Sequence, residues 1–273
     1  SSYGGSDAAH DCGTLRYVRI EYAGSVFGTD NELNGLTIGG CGTGTDMSFI
    51  QVHKGLDDGI EFFGGTAGIR NAVVTQAGDD GFDWDEGWAG NAQFIVVQQA
   101  ADDGDKGIEA DNLEDNNDAT PRSMPTIWNM TLIGSGDAEG GQAGIRLRRG
   151  TAGSLNNVII YGFPKEPFRI EGTSSLTERD AGRLEMNHVM VFNNGELGED
   201  DAAWFPSQPG AVSDQDPMLP APFDRANPNL VPGASSAAAN GATPGAGFDA
   251  AAAYYGAFEP GGENWMAGWT AFP

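Results

Sequence analysis

The chain has 273 residues with 39 acids against 14 bases, a formal charge of −25 at neutral pH. So little lysine and arginine excludes nucleic acid as a partner and disfavours anionic membrane, because both need clustered cations. Excess carboxylate instead serves solubility and the binding of hard cations through oxygen.

No apolar run approaches the ~18–20 residues of a membrane-spanning segment. The 42 glycines argue against long amphipathic helices and for short strands between tight turns. No charged-then-apolar leader opens the chain, which fits a mature or an intracellular form. Residues 1–13 are polar and glycine-rich and read as an extended entry or part of an earlier coil. Cys12 and Cys41 are the two cysteines. Their spacing, a little over one coil, predicts a disulfide between neighbouring coils, as suits an extracellular protein.

The first strand is expected over Leu15 to Tyr22, where Val18, Ile20 and Tyr22 alternate with Arg19 and Glu21. A column of short β-branched or aromatic strands follows: Phe49–Val52, Ala72–Val74, Phe94–Val97, Met130–Ile133, Val158–Tyr161 and Val189–Phe192. A partner set accompanies it: Leu36–Ile38, Ile60–Phe62, Phe82–Trp84, Ile108–Ala110, Ile145–Leu147 and Phe168–Ile170. Alternation turns the first and third residues of each partner strand inward and the middle one outward. Asp-Asp-Gly recurs at Asp57, Asp79 and Asp102, at intervals of 22 and 23 residues, a period that signals a solenoid.

The fold class expected is all-β, a right-handed parallel β-helix over residues 1–195. A β-propeller would want ~40–50 residues per blade. Extra length at Gly104–Lys106 and Asp111–Pro125 marks loops grown from a coil. Residues 196–273 hold most of the proline plus Ala/Gly-rich runs, and are expected to pack along the helix as an extended tail. The aromatic stretch Trp265 to Phe272 is expected to dock on the barrel wall or cap an open end.

Coils stack ~4.8 Å apart, so Asp57, Asp58, Asp79, Asp80, Asp102 and Asp103 are expected to form one column, with Asp83, Asp85 and Glu86 near enough to contribute. Like charges at that spacing repel by ~1 kcal/mol per pair even in water. Ca²⁺, which takes 6–8 oxygens, relieves this; the competing account has one Asp per coil capping its own turn. A second outward column reads Thr37, Glu61, Asp83, Glu109, Arg146, Arg169, and beside it run Phe63, Asp85, Asp111, Arg148, Glu171. Arg146 and Arg148 are expected to pair with Glu109 and Asp111. Alternatively Arg146, Arg148 and Arg169 line a groove for an acidic polysaccharide.

Cys12–Gly24, Gly78–Asp85, Gly107–Asn112 and Asn264–Phe272 resemble a family of secreted bacterial parallel β-helix proteins, often lipoproteins or surface proteins, of pectate-lyase-like superfold and without an assigned activity. The resemblance implies a secreted or cell-surface location. It also implies a C-terminal portion of a longer coil array, whose first coil would stack on another polypeptide. The Asp-Asp unit is similar to the polygalacturonase pattern, but that family's Gly-His-Gly and Arg-Ile-Lys motifs are missing. A hydrolase needs paired carboxylates ~5–9.5 Å apart, which Asp79, Asp80 and Asp102 satisfy as most stacked acids do. A lyase needs a base, for which Arg146, Arg148 or Lys54 are candidates. His10, His53 and His188 give no zinc spacing, and no nucleophile elbow, phosphate loop or dinucleotide fingerprint occurs. The expectation is therefore a calcium-binding surface protein with a binding, adhesion or structural role, the alternative being a carbohydrate-active enzyme.

Overall fold

A computed structural model describes residues 3–26, 33–137 and 140–273. Strands numbered along the chain alternate between two all-parallel sheets. The larger contains β1 (Thr14–Glu21), β3 (Asp46–His53), β5 (Ile69–Thr75), β7 (Asn91–Gln98), β9 (Thr126–Ile133), β11 (Gly153–Tyr161), β13 (Leu184–Phe192) and β14 (Val212–Ser213), in that order. The smaller contains β2 (Leu36–Gly39), β4 (Ile60–Phe63), β6 (Phe82–Asp85), β8 (Lys106–Ala110), β10 (Ala143–Leu147) and β12 (Phe168–Ile170). Each strand pairs with the equivalent strand of the next coil, as a parallel β-helix requires.

One crease runs down the larger sheet. Tyr17, Phe49, Asn71, Phe94, Asn129, Asn157 and His188 all take φ between 53° and 61°. They are stacked, because the register passes from Arg16–Ser48 to Val18–Ile50, and from Asn156–Trp128 to Val158–Met130, without them. A left-handed residue in an otherwise extended strand turns the chain through a corner. Several of these positions are asparagine, the non-glycine residue that tolerates this conformation well.

The core lies between the sheets. The inward columns of the smaller sheet run Ile60, Phe82, Ile108, Ile145, Phe168 and Phe62, Trp84, Ala110, Leu147, Ile170, and all ten are buried. Trp84 stands beside Ala110, a large residue against a small one, which keeps the stack filled without strain. The alternation read from the sequence is the alternation found.

Beyond β12 the solenoid is closed by α1 (Gly172–Asp180), α2 (Glu199–Trp204) and the turn after it. Phe205 packs on Phe168 at 5.3 Å between ring centroids, and Asp201 accepts the Ile170 amide at 3.2 Å, so the last strand's edge is covered. Residues 217–273 then return along the outer face of the larger sheet. Leu219, Leu230, Phe258 and Met266 bury Val73, Val96 and Ile133, while Ala238 and Tyr255 bury Ile159 and Met190.

Side-chain amides bind this segment to the wall through its main chain. Gln51 donates to the Ala271 carbonyl and accepts from its amide. Gln93 accepts from Asp249. Asn129 donates to Ala252 and Tyr254, and Asn157 both donates to and accepts from Ala242. Trp265 and Trp269 stack on the same face. Cys12 and Cys41 form a disulfide.

Candidate functional site

The outer face of the smaller sheet carries the charge. Its middle positions are in register as Thr37, Glu61, Asp83, Glu109, Arg146 and Arg169, the column expected from alternation. Just before each strand stands the acidic corner. Asp79 donates its amide to the Asp57 carbonyl, and Asp105 to the Asp79 carbonyl, so the first acid of each corner forms a column of Asp57, Asp79 and Asp105.

The second position reads Asp58, Asp80, Lys106. The Asp58 carboxylate accepts the Asp80 amide at 3.0 Å, 22 residues on. The Asp80 carboxylate accepts the Lys106 amide at 2.7 Å, 26 residues on. Each of these acids thus caps the next coil's corner instead of its own.

This corrects the third rung. Asp102 and Asp103 do not join the column; they line a separate cavity with Tyr22, Lys54 and Leu56. The repeated phrase is misleading because Asp102–Gly104 bulge out ahead of the true corner. Gly104 adopts φ +84°, and a Cβ there would lie 2.6 Å from the Gln99 Oε1. Gln99 in turn donates to the Asp79 and Lys106 carbonyls, so the loop is folded over a buried amide that holds the corner in register. Asp85 also stands apart from the carboxylate clusters; its oxygen accepts the neighbouring Glu86 amide.

Among the described residues, carboxylate oxygens converge to within 4.8 Å in four trios: Asp57–Asp58–Asp79, Asp58–Glu61–Asp83, Asp79–Asp80–Asp105 and Asp80–Asp83–Glu109. Two of these share Asp83 and lie on the sheet face. Glu61, Glu109 and Asp105 were not among the expected ligands. The register was the available signal: the middle residue of each partner strand faces the corner acid of its own coil.

Burial and mutual repulsion both act on this group. Asp58, Glu61, Asp80 and Glu109 are each at most 9% exposed. Burial foremost, then neighbouring carboxylates, pushes Asp58 up to about 7 and Glu61 up to about 8. Asp80 and Asp83 move well above the usual carboxylate range for the same reasons. The Asp83 Oδ1 is buried with no hydrogen-bond partner.

The two trios are compensated differently. Lys106 Nζ lies 2.8 Å from Glu109 and 3.7 Å from Asp80, and Arg148 pairs with Glu109 and Asp111. Among the described residues no lysine or arginine comes within ion-pair distance of Asp58, Glu61 or Asp83. Asn34 donates to Glu61, a neutral partner.

The arginines are committed elsewhere. Arg148 makes the pairs expected of it. Arg146 does not reach Glu109 and instead binds Glu166 at 2.9 Å and Glu171 at 2.8 Å, because those acids, from the turn before β12 and the residue after it, close over it. Arg169, whose side chain is 54% exposed, is the most open of the three and sits 3.9 Å from Glu171. A groove of free guanidinium groups is therefore not what this face presents.

A family model described as a pectate-lyase like beta helix domain matches residues 1–270 of the chain. No curated protein matches, and no solved structure does.

Proposed function

The chain belongs to the pectate-lyase-like β-helix domain family, and from that membership we propose that it is a secreted or surface-exposed, calcium-dependent carbohydrate-binding protein. The cation would sit in the Asp58–Glu61–Asp83 trio, with Asp80 and Glu109 behind it, and an acidic polysaccharide would complete its coordination from solvent. One observation carries this reading: three carboxylates converge within 4.8 Å and, among the described residues, no lysine or arginine lies within ion-pair distance of them. Such a group must either hold protons or hold a cation, since its charge cannot be left uncompensated at partial burial. Ca²⁺ suits it, having 6–8 oxygen sites, tolerance for irregular geometry and room for ligand oxygens. Uronate groups supply oxygens of the right kind.

Thermal unfolding in EGTA, with Ca²⁺ or Mg²⁺ restored separately, tests the cation. A stabilisation restored by Ca²⁺ and abolished in Asp83→Asn is expected, since a ligand confined to the folded state stabilises by mass action. No shift with either ion removes the cation and leaves the acids as proton-sharing corners. Calorimetry of the Ca²⁺-loaded chain against polygalacturonate and alginate then tests the ligand.

A second reading, catalysis on the same face, is favoured by Asp58 and Glu61. A carboxyl that keeps its proton near neutrality is what a general acid requires, and a second acid lies alongside. Incubation with the same polymers, following reducing ends and unsaturated products, separates catalysis from binding.

A further inference from the structure

A cavity of about 610 Å³ opens beside the acidic face, at the corner that follows β2, β4 and β6. Its size falls within the ~300–1,000 Å³ usual for small-molecule sites. The floor is built on glycine. Gly40, Gly64, Gly65 and Gly87 have φ of +65°, +64°, +82° and +86°, and the Tyr3 ring lies close against Gly39 and Gly40. One wall is the segment Tyr3 to His10, and Pro121 stands at the other side.

That first wall is fastened down. Gly42 donates to the His10 carbonyl at 3.1 Å and Thr43 to the Ala8 carbonyl at 2.9 Å. The Thr66 hydroxyl donates to the same Ala8 carbonyl at 2.6 Å, and the Cys12–Cys41 disulfide ties the end of the segment to the coil. Close approach is built in on both sides. A Cβ on Gly42 would lie 2.4 Å from the His10 nitrogen, and one on Gly87 would lie 2.4 Å from the Pro121 oxygen.

Two aromatic rings face this space. Tyr3 and Phe63 are 6.2 Å apart at an interplanar angle of 58°. The Tyr3 hydroxyl donates to the Glu86 carboxylate, orienting that acid at the rim, and Asp7 lies on the same wall. We infer that this cavity is a binding site for an uncharged, hexose-sized sugar residue. The aromatic rings offer apolar surface to the C–H face of a pyranose. Glu86 and Asp7 offer the acceptors that ring hydroxyls need; the Gly40, Gly42, Gly64 and Gly87 amides are already bonded within the fold. An acid sugar is excluded in the absence of cation, because both carboxylates would repel it. The site is separate from the cation trio and does not depend on it.

The experiment uses the full chain in EGTA, so that the cation reading neither helps nor harms the outcome. Saturation-transfer NMR and calorimetry are run with methyl glycosides of glucose, galactose, mannose and N-acetylglucosamine, their disaccharides, and galacturonate. At least one neutral probe is expected to bind and galacturonate not to. Tyr3→Ala and Phe63→Ala are each expected to weaken binding by about tenfold or more, and Tyr3→Phe by less, because the ring remains. Tyr3 lies outside the coils, so its variants keep the fold, which thermal unfolding checks. Mild reduction, verified by thiol titration, is expected to weaken the same probe by releasing the wall. The inference is overturned if no neutral probe binds, if galacturonate binds as well as they do, or if Tyr3→Ala leaves binding unchanged.

Discussion

The two outer walls of the solenoid face solvent with opposite consequences. On the larger sheet, Val73, Val96, Ile133, Ile159 and Met190 point away from the core and would be an exposed apolar surface without the returning segment. The smaller sheet has Glu61, Asp83 and Glu109 at the corresponding outward positions. One wall is completed by its own polypeptide, through apolar burial and paired amides. The other leaves converging carboxylates whose compensation must come from protons, Lys106, Arg148 or a ligand. In a fold whose interior is set by repetition, the outward residue is where coils are free to differ, and the charge there decides whether a wall is structural or available.

The sharpest way to break this contrast is to damage the covered wall. Phe258 is 1% exposed, packs in the cluster with Val73 and Val96, and stacks on Trp265 at 5.2 Å. Phe258→Ala should cost about 3–5 kcal/mol, measured by denaturant unfolding. Glu61→Gln in metal-free buffer should cost little near neutrality, where the raised carboxyl is already neutral, and should stabilise above about pH 8, where it removes a repelled, buried charge. Equal losses from the two variants would dissolve the distinction.

The next effect is the pH response of the acidic wall. Asp58 titrates near about 7 and Glu61 near about 8 in the folded chain, against ~4 for an ordinary carboxylate. Between those limits the folded state holds protons that the unfolded state has released. Metal-free stability from these groups is therefore present at low pH and lost as pH rises through 7 and 8. Cation must displace the same protons, so the Ca²⁺-induced rise in Tm should grow from near zero at about pH 5 to ~5 °C at about pH 8. A calcium shift independent of pH would place the ion elsewhere.

The smallest effect sharpens the map of the site. Asp102→Asn and Asp103→Asn lie on the bulge beside Tyr22 and Lys54, and should leave the calcium shift within about 0.5 kcal/mol of the parent. Asp58→Asn, within two of the trios including the proposed cation site, should reduce it. The reverse order would restore the repeated phrase as the ladder.

Particular residues show how far the sequence reached. The strands around Ile60, Phe82 and Ile108 were legible because a period of two within strands, repeated at coil length, permits one inward face. The outward column from Thr37 to Arg169 followed from the same alternation. The third rung was not legible, since Asp102-Asp103-Gly104 repeats the phrase while Asp105-Lys106-Gly107 holds the position. Nothing local separates them: Gln99, buried behind the bulge, sets the register through bonds to carbonyls of two coils. Arg146 was misplaced because Glu166 and Glu171 approach it from a turn that alternation does not describe.

The sequence by itself determined the solenoid, its core columns and the order of charges along the outward column of the smaller sheet, because these depend on residue type at fixed short-range spacing. The tertiary structure alone decided which acids converge, that Lys106 serves one trio and leaves its neighbour without an ion pair, and where residues 217–273 lie. Those outcomes depend on bulges, on amides reaching between coils and on a segment with no period of its own, so their energies arise from contacts distant in the chain.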